Sequence, residues 1–187
     1  MANPDVKRGL VPTRMASGSV YNGSCNEYHV PTANADALFQ GDPVTITGDA
    51  DLKGVASVGL SAAAGPITGV IVGFRPTPTR DNDGYLKAAT EGYVLVADDI
   101  GLECEIQANA AITSADVGQN AALDIAAGDP FYRRSNVQLD QGTLGAGDTL
   151  PLQLVGVVQR EDNDAYDAGG NTKVRVRLNN SNARAGV

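Results

Sequence analysis

Val174-Arg175-Val176-Arg177-Leu178 alternates apolar and charged residues with a period of two, and this period recurs along the chain where a helical one does not. Successive side chains of a strand point to opposite faces, so such a run offers one face to a core and the other to solvent. Val44-Thr45-Ile46-Thr47, Gly69 to Phe74, Tyr93 to Ala97, Glu103 to Gln107 and Leu152 to Gln159 are further alternating or β-branched runs, bounded by Gly, Pro, Asn and Asp. Helical candidates are short. Asn34 to Phe39 and Ser114 to Asn120 each allow a capped turn and no more. With 22 Gly and 9 Pro in 187 residues, and only 19 % charged, bundles and coiled coils are disfavoured. The pattern predicts an all-β protein with a barrel-like or sandwich core.

Residues 54–74 carry no charge and have the length of a membrane span. Gly59, Gly65, Pro66, Gly69 and Gly73 dilute that stretch, and Gly65-Pro66 is a turn signal between two short strands. No membrane crossing is expected. The opening MANPDVKRGL lacks the apolar region of a signal peptide, so no secretion by that route is expected either.

Several short motifs return in the same order. Gly41-Asp42-Pro43-Val44 is echoed by Gly128-Asp129-Pro130-Phe131, and Ile67 to Ile71 by Leu154 to Val158. Asp81-Asn82-Asp83-Gly84-Tyr85 is echoed by Asp162-Asn163-Asp164-Ala165-Tyr166, and Val94-Leu95-Val96 by Val174-Arg175-Val176. Gly-Asp-Pro launches a strand because proline fixes its own φ and pushes the preceding residue out of the helical region. The order predicts two related strand-turn-strand halves, residues 41–99 and 128–180, closing one core within a single β domain spanning 21–180.

The net charge is −8, which disfavours nucleic acid and anionic membranes as partners. Charge is nevertheless segregated. Lys7, Arg8 and Arg14 lie near the start, and Lys173, Arg175, Arg177 and Arg184 near the end, where no acid accompanies them. Basic ends on an acidic body suit contact with an acidic partner surface. Residues 1–20, with Pro4 and Pro12, are expected to form an extended arm that orders on docking, and residues 181–187 a tail.

Signals for catalysis are weak. His29 is the one histidine, so a zinc site needing two imidazoles is excluded within a chain, and neither a P-loop nor GxGxxG occurs. A thiolate–imidazole pair of Cys25 with His29 is conceivable, but a histidine hydrogen-bonded at a strand end is the expectation. Asp81, Asp83 and Gly84, and Glu161, Asp162, Asp164 and Asp167, are acidic turns that miss the spacing of a calcium loop. Cys25 and Cys104 form no CxxC motif, and two cysteines suggest synthesis in a reducing compartment. Neither metal nor cofactor is expected, and no enzymatic activity.

Tyr21-Asn22-Gly23-Ser24, Glu27-Tyr28-His29-Val30-Pro31 and Ala37-Leu38-Phe39-Gln40-Gly41-Asp42-Pro43-Val44 resemble the capsid decoration (cement) proteins of tailed bacteriophages. So do Val94 to Asp99, Glu103 to Gln107, Val117 to Ala121, Leu150 to Asn163 and Val174 to Asn180, so that the likeness runs over roughly residues 21–180. The resemblance implies a barrel-like, β-tulip or sandwich core and a non-enzymatic virion protein, made in the host cytoplasm. Such a protein sits on the outer capsid surface as a homotrimer and clamps neighbouring major capsid subunits. Lys7, Arg8, Arg14, Arg175, Arg177 and Arg184 are then the expected capsid contacts. Another virion β-protein, such as a tail component, and a surface or extracellular β-type binding module are the alternatives.

Overall fold

A computed structural model describes residues 3–76, 84–166 and 170–182. These residues form β1 (Val11–Met15), β2 (Asn26–Val30), β3 (Pro43–Ala50), β4 (Ala56–Leu60), β5 (Gly69–Phe74), β6 (Gly92–Ala97) and β7 (Leu102–Gln107). A 3-10 turn at Ser114–Asp116 precedes β8 (Asn120–Asp124), β9 (Gln138–Gly145), β10 (Leu152–Val157) and β11 (Lys173–Leu178). The chain is all-β. Of the two helical candidates, Ser114–Asp116 makes that single turn, where the Asp116 carboxylate accepts the Thr113 N–H and O–H at 2.7 and 2.9 Å. Asn34 to Phe39 is irregular.

Strands β2-β4-β3-β5-β6 close a barrel, and the others form a six-stranded sheet in the order β1-β7-β11-β10-β8-β9. Apart from β1, the second sheet repeats the order of the first, with β7 to β11 standing where β2 to β6 stand. In the barrel β2 and β4 are parallel neighbours through His29 and Ser57. In the second sheet Ala108, directly after β7, makes a parallel bridge to Leu139 of β9. The ladders agree residue by residue. Ile71 faces Val96 and then Gly73 faces Leu95, with one bulged residue between; Leu154 faces Val176 and then Gly156 faces Arg175, with the same bulge. Gly41 N donates to Ile71 O at 2.8 Å and Gly118 N to Leu154 O at 2.8 Å. Both glycines hold φ near +90°, at 94° and 92°, a conformation that a side chain opposes.

These ladders redraw the halves inferred from sequence. The equivalent units are β2–β6 and β7–β11, not 41–99 and 128–180. Gly41-Asp42 is matched by Gly118-Gln119, while Gly128-Asp129-Pro130-Phe131 lies in the loop between β8 and β9 and launches no strand. Turn chemistry misled the comparison, since Gly-Asp-Pro serves a loop as readily as a strand start. Val94-Leu95-Val96 and Val174-Arg175-Val176 do occupy equivalent ladder positions, opposite Phe74 and Val157 respectively at their first residues. The echo at Asp81-Asn82-Asp83 lies outside the described residues.

Nor do the halves share one core. Val30, Leu38, Val44, Val58, Ile71, Leu86, Val94 and Val96 fill the barrel. A separate, larger cluster beneath the second sheet gathers Leu102, Cys104, Ile106, Leu123, Leu139, Leu152, Leu154, Val174 and Val176, together with Ile67, Val70 and Ala97 from the barrel side. Barrel and sheet each face alternate residues inward, and Ile67, Val70 and Ala97 join the two. Backbone bonds stitch the same seam: Ile67 N to Asn180 O at 3.0 Å, Leu123 N to Ala63 O at 2.8 Å and Leu10 N to Gly41 O at 2.9 Å. The uncharged stretch 54–74 is β4, a turn and β5, and no helix among the described residues is long and apolar enough to cross a membrane.

The N-terminal segment is extended but is no free arm. β1 pairs antiparallel with β7, Leu10 is buried in the larger core, and the buried Asn3 side chain exchanges bonds with the Asp164 backbone at 3.0 and 2.6 Å. Val6 N donates to Gln107 Oε1 at 2.9 Å. One core leucine and a row of backbone bonds leave no hydrophobic period in the sequence, and Pro12 fits because β1 is an edge strand.

Candidate interaction surface

Alternation in β7 and β11 turns Cys104, Ile106, Val174 and Val176 into the core, and Glu103, Glu105, Arg175 and Arg177 to the other face. Register places Arg177 opposite Glu103 and Arg175 opposite Glu105, while Arg14 of β1 flanks Glu103 on the other side. Three arginines thus meet one carboxylate. Arg14 Nε donates to Glu103 Oε2 at 2.6 Å, Arg177 Nη2 donates to Oε1 at 2.7 Å, and Arg175 Nε lies 3.4 Å from Oε2. Glu103 is only 1 % exposed. Burial opposes its charge, but the bonds from Arg177 and Arg14 and their positive charges outweigh that cost and hold the carboxyl below the usual range.

Arg14, Arg175 and Arg177, expected as free contacts on two separate ends, are therefore one cluster built around an internal acid. Their side chains remain about a third exposed and carry more positive charge than Glu103 cancels. Arg8 lines the neighbouring cleft of about 450 Å³ with Val11, Glu105, Arg160 and Lys173. In that cleft Arg160 pairs with Glu105 at 3.0 Å, and Lys173 pairs with Asp162. Lys7 stands 4.0 Å from Asp5. Arg8, Arg14, Arg175 and Arg177 thus gather on or beside the β1-β7-β11 face, and Arg184 lies outside the described residues.

His29 is not paired with Cys25. Its Nδ1 lies 2.9 Å from Ser57 Oγ and its Nε2 3.3 Å from Glu91 Oε1, an order of groups that a serine hydrolase also uses. Ser57 is 1 % exposed, however, which closes its oxygen to solvent. His29 ties β2 to β4 across the parallel closure of the barrel. Cys25 is exposed and Cys104 buried, both as free thiols. No cluster of three or more candidate metal ligands occurs among the described residues. Asp162, from one acidic turn, serves as an ion-pair partner, while Asp81, Asp83 and Asp167 lie outside the described residues.

Sequence patterning offered no sign of the exposed apolar groups. Leu52 stands fully exposed on the β3–β4 hairpin, where the Asp51 carboxylate accepts the N–H groups of Lys53 and Val55, each at 2.8 Å, and so fixes the tip. Phe131 is 83 % exposed and Tyr132 61 %, side by side on the β8–β9 loop. Exposed aromatics on a rigid turn are a mark of binding surfaces, although Phe131 sits in a segment that turn signals alone describe as a strand start.

No family model matches this chain, and neither curated proteins nor solved structures give a match.

Proposed function

We propose that this chain is a structural virion protein that binds the outer surface of a tailed-phage capsid, self-associates as a trimer, and bridges neighbouring major capsid subunits. The reading is carried by the ordered likeness of residues 21–180 to decoration proteins. The surface supports it. An all-β body presents rigid exposed apolar tips at Leu52 and Phe131-Tyr132, and a face with surplus guanidinium charge suited to the carboxylates of an acidic shell. Synthesis in the host cytoplasm and residence on the outer capsid follow from the same reading.

Lys7 and Arg8 are the cleanest contacts to test, because neither holds Glu103. Attachment through exposed pairs weakens as the Debye length falls from about 10 Å at 0.1 M salt to about 3 Å at 1 M. Binding isotherms of the Lys7→Glu, Arg8→Glu double variant on purified capsids are expected to show weaker attachment at low salt and convergence with the native chain at high salt. Equal, salt-independent affinities remove the basic face from the reading.

A further inference from the structure

The β8–β9 loop is built to hold two aromatic rings in water. Asp129 Oδ1 accepts the N–H groups of Phe131 at 2.8 Å and Tyr132 at 3.1 Å. Backbone bonds run both ways between Asp129 and Arg134 and close the loop at its base. The two rings meet edge to face with centroids 5.0 Å apart, and the Arg134 guanidinium lies 4.7 Å from the Tyr132 ring. Arg133 beside them holds φ at 56°. This is a preformed basic and aromatic knob, whose ordering entropy is spent on folding and not on docking.

At the start of β7 lies a cleft of about 540 Å³, whose walls include Tyr21, Cys25, Asp98, Asp99, Ile100 and Leu102. Ala97, Ile100 and Leu102 line it together with the polar Ser24 and Asn26, and it carries two adjacent carboxylates. Asp98 accepts from Asn26 and Tyr28, and Asp99 from the Gly101 N–H, but among the described residues neither has an ion-pair partner. Apolar side chains beside uncompensated acid are the complement of the aromatic knob with its arginines.

We propose that the knob at residues 129–134 of one chain seats in the Asp98–Asp99 cleft of a second copy. One chain does not fill its own cleft. Leu102 at the start of β7 lines the cleft, whereas Ala108 after its end bridges to Leu139, in the strand that the knob loop leads into. Six residues of strand separate these ends by ~20 Å. Knob and cleft are different patches, so the contact is head-to-tail and propagates until a ring closes. This deepens the self-association in the function proposed above and rests on it, but it is assayed without capsids, so failure of capsid binding and failure of the seam are distinguishable.

Cys25 in the cleft supplies the test. In the full-length Phe131→Cys variant, diamide is expected to link the introduced thiol of one copy to Cys25 of the next and to give a covalent ladder. Adding Cys25→Ser is expected to abolish the ladder, Cys104 being buried. Light scattering is expected to show the native chain above 19.2 kDa, and the Phe131→Ala, Tyr132→Ala double variant dissociating on the order of tenfold more readily with an unchanged melting transition. Asp99→Arg is expected to dissociate likewise and to be rescued by Arg133→Asp, which keeps the test decisive should the aromatic variant misfold. A native chain that stays at 19.2 kDa at every concentration, an assembly indifferent to both sets of variants, or the absence of a Cys25-dependent ladder each overturns the proposal.

Discussion

Arg14 Nε donates a 2.6 Å hydrogen bond to Glu103 Oε2, fastening the opening strand to a carboxylate that Arg177 of the last strand also holds. Glu103→Ala leaves three guanidinia facing one another. The expected loss is roughly 2 kcal/mol, below the 3–5 kcal/mol of a fully buried pair because these arginines reach water. Because the folded carboxyl titrates below 4.5, its contribution is complete above that pH and fades as pH falls through the folded value. Denaturant melts of native and variant chains at pH 7 and pH 3 check both magnitude and sign: the gap is expected at pH 7 and to shrink at pH 3. Deleting residues 1–15 is expected to lower stability by more than Glu103→Ala, since Leu10 and the β1 ladder leave with it.

Asp42 behaves in the opposite sense. Burial pushes its carboxyl up to about 6 from 3.8, against the lowering effect of bonds from Ser135 and from the Phe39 N–H at 2.7 Å. A raised folded value favours the folded state below pH 3.8 and loses that advantage as pH rises through about 6. At neutral pH the cost amounts to roughly 3 kcal/mol, at 1.36 kcal/mol per pH unit. Asp42→Asn mimics the neutral acid. It is expected to raise the melting temperature at pH 7, leave it nearly unchanged at pH 4, and flatten the slope between.

Gly9 sits where the barrel and the second sheet meet. Its φ is +66°, and a Cβ there would fall on Gly41 O and on the Ser135 side chain. Gly9→Ala is expected to cost roughly 2–4 kcal/mol from overpacking and the left-handed backbone together. Gly23 has φ +87° with open space around it. Gly23→Ala is expected to cost only about 1 kcal/mol, the backbone term alone. Urea midpoints of the two variants separate packing from conformation.

The thiols are expected to react with a thiol reagent in two stages. Cys25 is exposed, while burial followed by the nearby Glu103 charge pushes the Cys104 thiol up out of the reactive range. Ellman's reagent is expected to find Cys25 in the folded chain once it is dissociated, and Cys104 only after unfolding. Two fast thiols would mean that the β7 core opens readily.

Strands with a strong period were legible in sequence: β5, β6, β7, β10 and β11 fall within a residue or two of the runs that predict them. β8 and β9 were not. Asn120-Ala121-Ala122-Leu123-Asp124 lacks β-branched residues, and β9 contains Gly142 and Gly145, so both depend on tertiary burial of Ala121, Leu123 and Leu139. The two equivalent units escaped detection because their equivalence lies in ladder register, in pairs such as Gly73 with Gly156, more than in residue identity. The basic residues were legible as a set. That Arg14, Arg175 and Arg177 converge on Glu103 was not, since only cross-strand register brings positions so distant in sequence together.

Capsid attachment stands or falls on co-sedimentation with purified tailed-phage capsids stripped of their own decoration. The full-length chain is expected to pellet with the particles up to a fixed stoichiometry, and imaging of those particles is expected to show added density bridging subunits on the outer surface. A chain that stays in the supernatant at all salt concentrations, or density confined to the tail, would contradict a decoration role.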